Sequence, residues 1–562
     1  MGHRHERTER HQREVYYLAM PKFLIHAIVA AGLGAAACAP AEPPAPQTAE
    51  RAADRPAAFD LEEVTIAELQ QRMSKGTDTA RSLAAKYLAR IESIDRGGPG
   101  LRSVLEINPD ALEDADRLDA ERTTGRPRGP LHGIPILIKD NIATTGPMLT
   151  TAGSLALAGA PAPRDAFIVA RLRAAGAIIL GKTNLSEWAN FRDRHSSSGW
   201  SARGGQVKNP YALDRSPSGS SSGSGVAAAA NLAAAAIGTE TDGSIVSPSN
   251  VNGLVGIKPT HGLLSRTGIV PISPTQDTPG PMARTVADAA ALLGAMVGSD
   301  REDAATADSE ARGRRDYSAS LDAGGLRGAR IGVVRNKFFG YSPAADRLAE
   351  TAIADMKKQG AIVIDPANIP TLGKFEEDEF AVLQYEFGPA LKQYLDWIGP
   401  GAPVRALEEV IAFNDGHAVQ ELPYFGQDLL AMSAKKGPLT SDDYRRRLAR
   451  YQKTAGADGI DAVMTRFNLD ALVAPTGGPA WLIDLVNGDR FPADESAPSS
   501  VTSAAGYPQI TVPMGSYRGL PVGLSFFGRA WSEPTLITLA YAYEQATRHR
   551  KPPTFVPTIR ID

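Results

Sequence analysis

The stretch that most constrains this chain runs from Ser216 to Ser244, S-P-S-G-S-S-S-G-S-G-V-A-A-A-A-N-L-A-A-A-A-I-G-T-E-T-D-G-S. A Gly/Ser loop, Ser218 to Gly225, opens it. A run of small apolar residues, Val226 to Ile237, follows, and a second Gly/polar turn, Gly238 to Ser244, closes it. The middle run is apolar on every side, so it predicts a fully buried helix. Glycines let backbone approach closely, and a helix start leaves N–H groups unpaired. Two such loops at the ends of a buried element suit an activated serine and a developing oxyanion. Taken alone, the Ser/Gly run would read as a flexible linker. The adjoining apolar run argues against that, and so does a lysine upstream in L-H-G-I-P-I-L-I-K-D-N, Leu131 to Asn141. Burying a charged lysine is costly, so Lys139 inside would have a lowered pKa and could act as a neutral base.

These pieces together resemble the amidase signature family. The matching residues are Gly133 to Asn141, the G-S-S-S-G loop at Gly219 to Gly223, and G-T-E-T-D-G-S-I at Gly238 to Ile245. G-L-V-G-I-K-P-T at Gly253 to Thr260 follows. Ser220 and Ser244 stand 24 residues apart, the spacing this family uses. The resemblance implies a catalytic triad of Lys139, Ser220 and Ser244, a cis Gly219–Ser220 bond, and an oxyanion hole from the backbone of Thr241, Asp242, Gly243 and Ser244. It implies an amidohydrolase of linear amides that works through an acyl-enzyme, with no metal and no organic cofactor. Within the family the chain looks most like the bacterial peptide amidases. That rests on Asn184 to Arg192, Ser198 to Gln206, Pro274 to Arg284 and Ala474 to Trp481. The expected substrate is the C-terminal amide of a peptide, hydrolysed to acid and ammonia.

The chain also departs from the family. Ser218 and Ser222 stand where glycines are common, and Asp242 where the first of two glycines often precedes the nucleophile. Val246 holds a position where many members carry an arginine that can pair with a substrate carboxylate. Its absence argues against substrates that carry a free acid.

Three other readings remain open. The same family includes amidases of small aliphatic or aryl amides. Gly219 to Gly223 also satisfies G-x-S-x-G, with Ser221 as an α/β-hydrolase nucleophile and His417 or His549 as its base. A non-enzymatic peptide-binding lipoprotein is the third. His132, His195 and His261 read as polar-network or surface residues, and Trp188, Trp200 and Trp481 as core or pocket wall.

Net charge of −3 gives no case for nucleic acid, and one cysteine excludes a disulfide framework or a cysteine–zinc cluster. That cysteine, Cys38, ends a lysine-led apolar stretch from Met20 that resembles a lipoprotein signal. The expectation is an exported, periplasmic or lipid-anchored bacterial protein, touching membrane only through Cys38. Residues 1–38 would be extension and signal, 39–58 a flexible tether, and 59–562 the amidase domain. The start at Met1 or Met20 and the oligomeric state stay open.

The fold expected is α/β: a mixed central sheet covered by helices on both faces, with core motifs at 131–284 and a mostly helical insertion at about 370–450 roofing the site. Periodicity places helices over Thr65–Ile94 (broken at Gly76), Ala111–Arg122, Ala166–Ala175, Arg284–Met296, Ala344–Gln359 and Thr535–Arg548. Strands are expected at Gly133–Ile138, Ala177–Gly181, Ala329–Val334, Ala361–Asp365, Asp470–Ala474, Gln509–Val512 and Val522–Phe527.

Overall fold

The computed structural model describes residues 59–159, 161–490 and 497–559, all within one unit, Ala53–Asp562. The expected signal, lipidation at Cys38 and tether all fall on residues 1–58, outside the described residues.

The strands begin with β1 (Val104–Ile107), β2 (Pro135–Lys139), β3 (Ile178–Thr183), β4 (Trp200–Ser201) and β5 (Gly205–Gln206). They continue with β6 (Ala235–Glu240), β7 (Val255–Lys258), β8 (Thr278–Ala283), β9 (Arg330–Val333) and β10 (Ile362–Ile364). The last are β11 (Ala471–Pro475), β12 (Gln509–Tyr517) and β13 (Leu520–Phe527). Eleven of them form one sheet in the order β1-β3-β2-β6-β8-β7-β12-β13-β11-β9-β10; β4 and β5 pair separately. The sheet is mixed: β3, β2 and β6 run parallel, β6 to β11 pair antiparallel, and β11, β9 and β10 are parallel again. Helices flank it, so the α/β expectation holds.

β2, β3 and β6 are buried at every residue. That is why each reads as a nearly unbroken apolar run: a parallel strand in mid-sheet has no face for water. Register then levels the motifs. Ile138 lies opposite Ile237 on β6, and Lys139 opposite Thr183 on β3. The carboxyl ends of β2 and β6 therefore open side by side, where ligands of open α/β sheets bind.

The apolar run is not one helix, as its composition predicted. It holds the end of a helix, Ser222–Ala229, then a turn, then β6. Asn231 breaks the run, with φ +57. Its side chain bonds Glu63 twice: Glu63 N–H donates to Asn231 Oδ1 at 2.8 Å, and Asn231 Nδ2 donates to Glu63 Oε1 at 3.0 Å. An asparagine tolerates the left-handed region and supplies the local hydrogen bonds that end a helix. The helix also starts earlier than expected, inside the Gly/Ser loop. Its glycines are there for packing: a Cβ on Gly223 would lie 2.3 Å from the Ser103 carbonyl oxygen and 2.4 Å from that of Asn184.

Between Glu376 and Ala455 the chain is helical, in Glu376–Ile398, Leu407–Gly416, Ala418–Glu421, Asp428–Ser433 and Asp442–Ala455. The first of these seats Phe387 against Trp188 and Phe191, with ring centroids 6.3 and 5.2 Å apart. Arg192 ties the segment down. Its Nη1 donates to Glu187 Oε1 and to the Glu421 carbonyl, both at 2.5 Å, and its guanidinium lies 4.1 Å from the Phe425 ring centroid.

Candidate active site

Lys139 is the last residue of β2 and is 0 % exposed. Its Nζ donates to Ser220 Oγ at 2.8 Å, to Thr239 Oγ1 at 2.9 Å and to the Thr239 carbonyl at 3.2 Å. Burial pulls the ammonium down to about 7, although the Asp277 and Glu240 carboxyls draw it back up. Lys182 and Lys258 are equally buried, but they point elsewhere: Lys182 Nζ donates to Thr150 Oγ1 and the Ile142 carbonyl, and Lys258 Nζ to the Pro259 carbonyl. Of these three lysines, Lys139 is the one that reaches the serine loop.

The loop itself is fully interior. Ser220, Ser221 and Ser222 are each 0 % exposed, which rules out a linker. The Gly219–Ser220 peptide bond is cis, as the family resemblance implies. A Cβ on Gly219 would stand 2.3 Å from Ser186 Oγ, so any larger residue would have to displace that hydroxyl. Ser186 N–H donates to the Ser220 carbonyl at 3.1 Å, and Ser222 Oγ donates to the Ser218 carbonyl at 2.6 Å. Ser221 N–H donates to the Ser244 carbonyl at 3.2 Å, which joins this loop to the second one.

The second loop, Thr241 to Ser244, bends over the Glu240 carboxylate. Glu240 Oε2 accepts from Ile245 N–H at 2.7 Å and Val246 N–H at 3.0 Å. Gly243 takes φ +75, open to glycine at no steric cost. Asp277, in the loop before β8, braces the turn: Thr241 Oγ1 donates to its Oδ1 at 2.5 Å, while Ile272 and Ser273 N–H donate to Oδ2. Burial nevertheless pushes the Asp277 carboxyl up to about 6. Gln276 Nε2 donates to the Thr241 carbonyl at 3.2 Å and to Glu379 Oε1 at 2.8 Å.

A cavity of about 380 Å³ opens over both loops. Gly219, Thr241, Asp242, Gly243 and Ser244 line it, with Phe191, Leu383, Asn250, Thr476 and Trp481 around them. Ser244 thus faces the cavity, and Lys139 and Ser220 lie buried behind it. The G-x-S-x-G alternative is not supported by this arrangement. Ser221 Oγ donates inward to the Thr239 carbonyl at 3.0 Å; His417 is exposed and stacks on Phe413, and His549 packs near Tyr543. His132 and His261 bond backbone carbonyls, His195 is exposed beside Asp193, Trp188 and Trp200 are buried, and Trp481 lines the cavity.

Sequence reasoning passed over Thr239, which accepts from Lys139, and the carboxylates of Glu240, Asp277 and Glu379. Glu240 and Asp277 lie inside the quoted motifs G-T-E-T-D-G-S-I and P-T-Q-D-T-P-G-P-M-A-R, so the signal was present there. Glu379 has no such marker.

Comparison with known proteins identifies the family. The amidase family model matches residues 82–537. A probable amidase of Arabidopsis thaliana is 42% identical over 510 residues, covering 89% of this chain and 93% of its own length. A putative amidase of Schizosaccharomyces pombe is 37% identical over 521 residues, covering 88% and 87%. The crystal structure of native peptide amidase from Stenotrophomonas maltophilia is 53% identical, with TM-score 0.85, covering 89% of this chain and 100% of that one. The relatives correct one expectation. Amidases of a plant and a fission yeast are not exported bacterial lipoproteins, so the periplasmic or membrane-anchored location is withdrawn. It rested on the composition of residues 20–38, and a lysine followed by small apolar residues does not by itself fix a destination. With the family model spanning most of its length, the chain belongs to the amidase family, amidohydrolases that act on amides.

Proposed function

We propose that the chain hydrolyses the C-terminal amide of peptides to carboxylate and ammonia through a Ser–Ser–Lys triad. The observation that carries this is Lys139, buried without a carboxylate hydrogen-bond partner and 2.8 Å from Ser220 behind the cavity that Ser244 lines. A lysine near pKa 7 is neutral in a useful fraction of molecules at neutral pH. Once it loses one proton, its two N–H groups suffice for Thr239, and its lone pair is free to accept the Ser220 hydroxyl proton. Ser220 then takes the proton of Ser244, a weak nucleophile until it is relieved of it. Ser244 Oγ bonds to the amide carbon, and backbone N–H groups of Thr241 to Ser244 steady the oxyanion. The C–N bond breaks as the proton returns to the leaving ammonia. Water then cleaves the acyl-enzyme by the same route in reverse.

A peptide substrate is supported by the fold shared with the peptide amidase. The cavity walls agree: the aromatic side chains of Phe191 and Trp481 and the aliphatic one of Leu383 suit a neutral chain end, and Val246 supplies no cation. The helices between Glu376 and Ala455 serve as the roof in this reading, through Leu383. The test is ammonia release from amidated dipeptides, free glutamine and asparagine, and small aryl amides. Amidated dipeptides are expected to turn over fastest. Faster turnover of glutamine or of an aryl amide would replace the substrate assignment.

A further inference from the structure

We propose that Asp242 is a specificity-determining residue that bars free carboxylates from the cavity and drives the acid product out of it. This rests on the peptide-amide reading above.

Among the described residues that line the cavity, Asp242 carries the one ionisable side chain. Thr241, Gly243 and Ser244 beside it are buried, whereas Asp242 is exposed to the cavity space. Its charge is not cancelled locally. Lys258 is the cation whose field reaches it, and that lysine is faced more strongly by Glu240 and Glu533. On the other side stands Glu379, from the roofing helix Glu376–Ile398. Burial, and then the charge of Asp242, push the Glu379 carboxyl well above the usual range, which favours its neutral form and leaves the negative charge of this pair on Asp242. Burial raises the Asp242 carboxyl above its ordinary range, while the hydrogen bond from the Ser499 hydroxyl and the field of Lys258 pull it back towards its ionised form.

The reaction changes charge at one place. The substrate amide is neutral. In the last step water oxygen bonds to the acyl carbon and the bond to Ser244 Oγ breaks. One water proton returns to Ser244, and the other leaves when the acid ionises. A carboxylate is thereby created at Ser244, in the cavity that Asp242 also lines and whose described lining offers it no cation. Like charges a few ångströms apart repel substantially where water is scarce. The amide form is unaffected, so the side chain separates product from substrate by charge alone. Free glutamine and asparagine, which bring their own carboxylate, are disfavoured for the same reason.

The experiment uses the full chain and a neutral substrate, N-acetyl-phenylalanine amide, followed by ammonia release. Two inhibitors are compared, N-acetyl-phenylalanine and its uncharged alcohol. In the wild type the acid should inhibit at least about tenfold more weakly than the alcohol. Asp242→Asn should close that gap, and Asp242→Glu should keep it. Acid and alcohol inhibiting the wild type equally would overturn the proposal even if Asp242→Asn fails to fold, and so would a gap that survives in Asp242→Asn. A wild-type chain that releases no ammonia from any amidated peptide overturns the proposed function instead.

Discussion

A lysine with no exposed surface, held between two strands, must give up either its charge or some of the protein's stability. Lys139 does both, and each has a sign that can be measured. Activity needs the neutral amine, so it should rise as pH climbs through about 7 and level off above. Lys139→Ala should lose roughly 10²–10⁴-fold in kcat, the usual worth of positioned acid–base catalysis. Ser220→Ala should lose a similar amount, and the double variant little more than either single, because one proton passes through both. A Lys139→Ala enzyme that keeps more than about a tenth of wild-type kcat would exclude the triad. Stability follows from the same shift. The folded value, about 7, lies below the ordinary lysine value of 10.5, so between them the unfolded chain binds the extra proton. Stability should therefore increase with pH across that window, and burying the lysine costs about 3 kcal/mol at pH 8. Lys139→Met should melt higher than the wild type at pH 8, with a gap that narrows towards pH 10, and should release no ammonia. A lower melting point at pH 8 would contradict the burial argument. At this scale the sequence was most legible where chemistry and motif coincide: Lys139, Ser220, Asp242 and Ser244 all stand at or behind the cavity. Glu379 was not legible, because its partner Gln276 is 103 residues away and only the fold introduces them.

Elements were read well where one face or one period decides them, and badly where small residues serve two structures. The helix Ile66–Ser74 announces itself with a Thr65/Glu68 capping box. The alanine run around Asn231 carries no period, and its division into helix and strand depends on pairing with β2 and β8. The glycines in this region separate packing from composition. In Gly223→Ala the new methyl would meet two backbone carbonyls at 2.3 and 2.4 Å, which cannot swing away. In Gly225→Ala it would meet the Asn252 amide and the Met282 methyl at 3.1 and 3.3 Å. Gly223→Ala should abolish soluble expression or cost several kcal/mol, at or above the ~1–3 kcal/mol typical of overpacking, while Gly225→Ala should stay at or below that range. Denaturant melts of the two variants give the comparison; equal stabilities would mean the Gly223 loop shifts freely. Arg192 makes the matching test for the helical segment. Arg192→Met would leave the Glu187 and Glu421 carboxyls buried without their shared cation, a loss of about 3–5 kcal/mol. Retention of the wild-type melting point in Arg192→Met would show that the segment is held by its apolar contacts alone.

At the scale of the molecule, the α/β class followed from alternating apolar runs, but strand order did not, because neighbours in the sheet lie far apart in the chain. β7 pairs with β12, joining Gly256 to Thr511, and β13 pairs with β11, which in turn carries β9. Periodicity within a segment says nothing of such partners; only the burial of both faces after collapse selects them. The sheet is consequently closed from both ends of the sequence. The motif strands β2, β6, β7 and β8 form one half, and β9 with β10 can join them only through β12, β13 and β11. A chain that stops at Leu469 would keep Lys139, Ser220 and Ser244 and every quoted motif up to Arg284. It would nevertheless leave β7 as a bare apolar edge, detach β9 and β10, and remove Thr476 and Trp481 from the cavity wall. An exposed apolar strand edge is a template for aggregation. The truncated chain should be insoluble, and whatever fraction is soluble should release no ammonia. Since the strands that cross between halves are few and central, the intact protein should also unfold in a single transition by two probes, far-ultraviolet circular dichroism and tryptophan fluorescence. A soluble, active truncation would show that the first half of the sheet folds by itself, and would place the source of site geometry in the motifs rather than in the whole sheet.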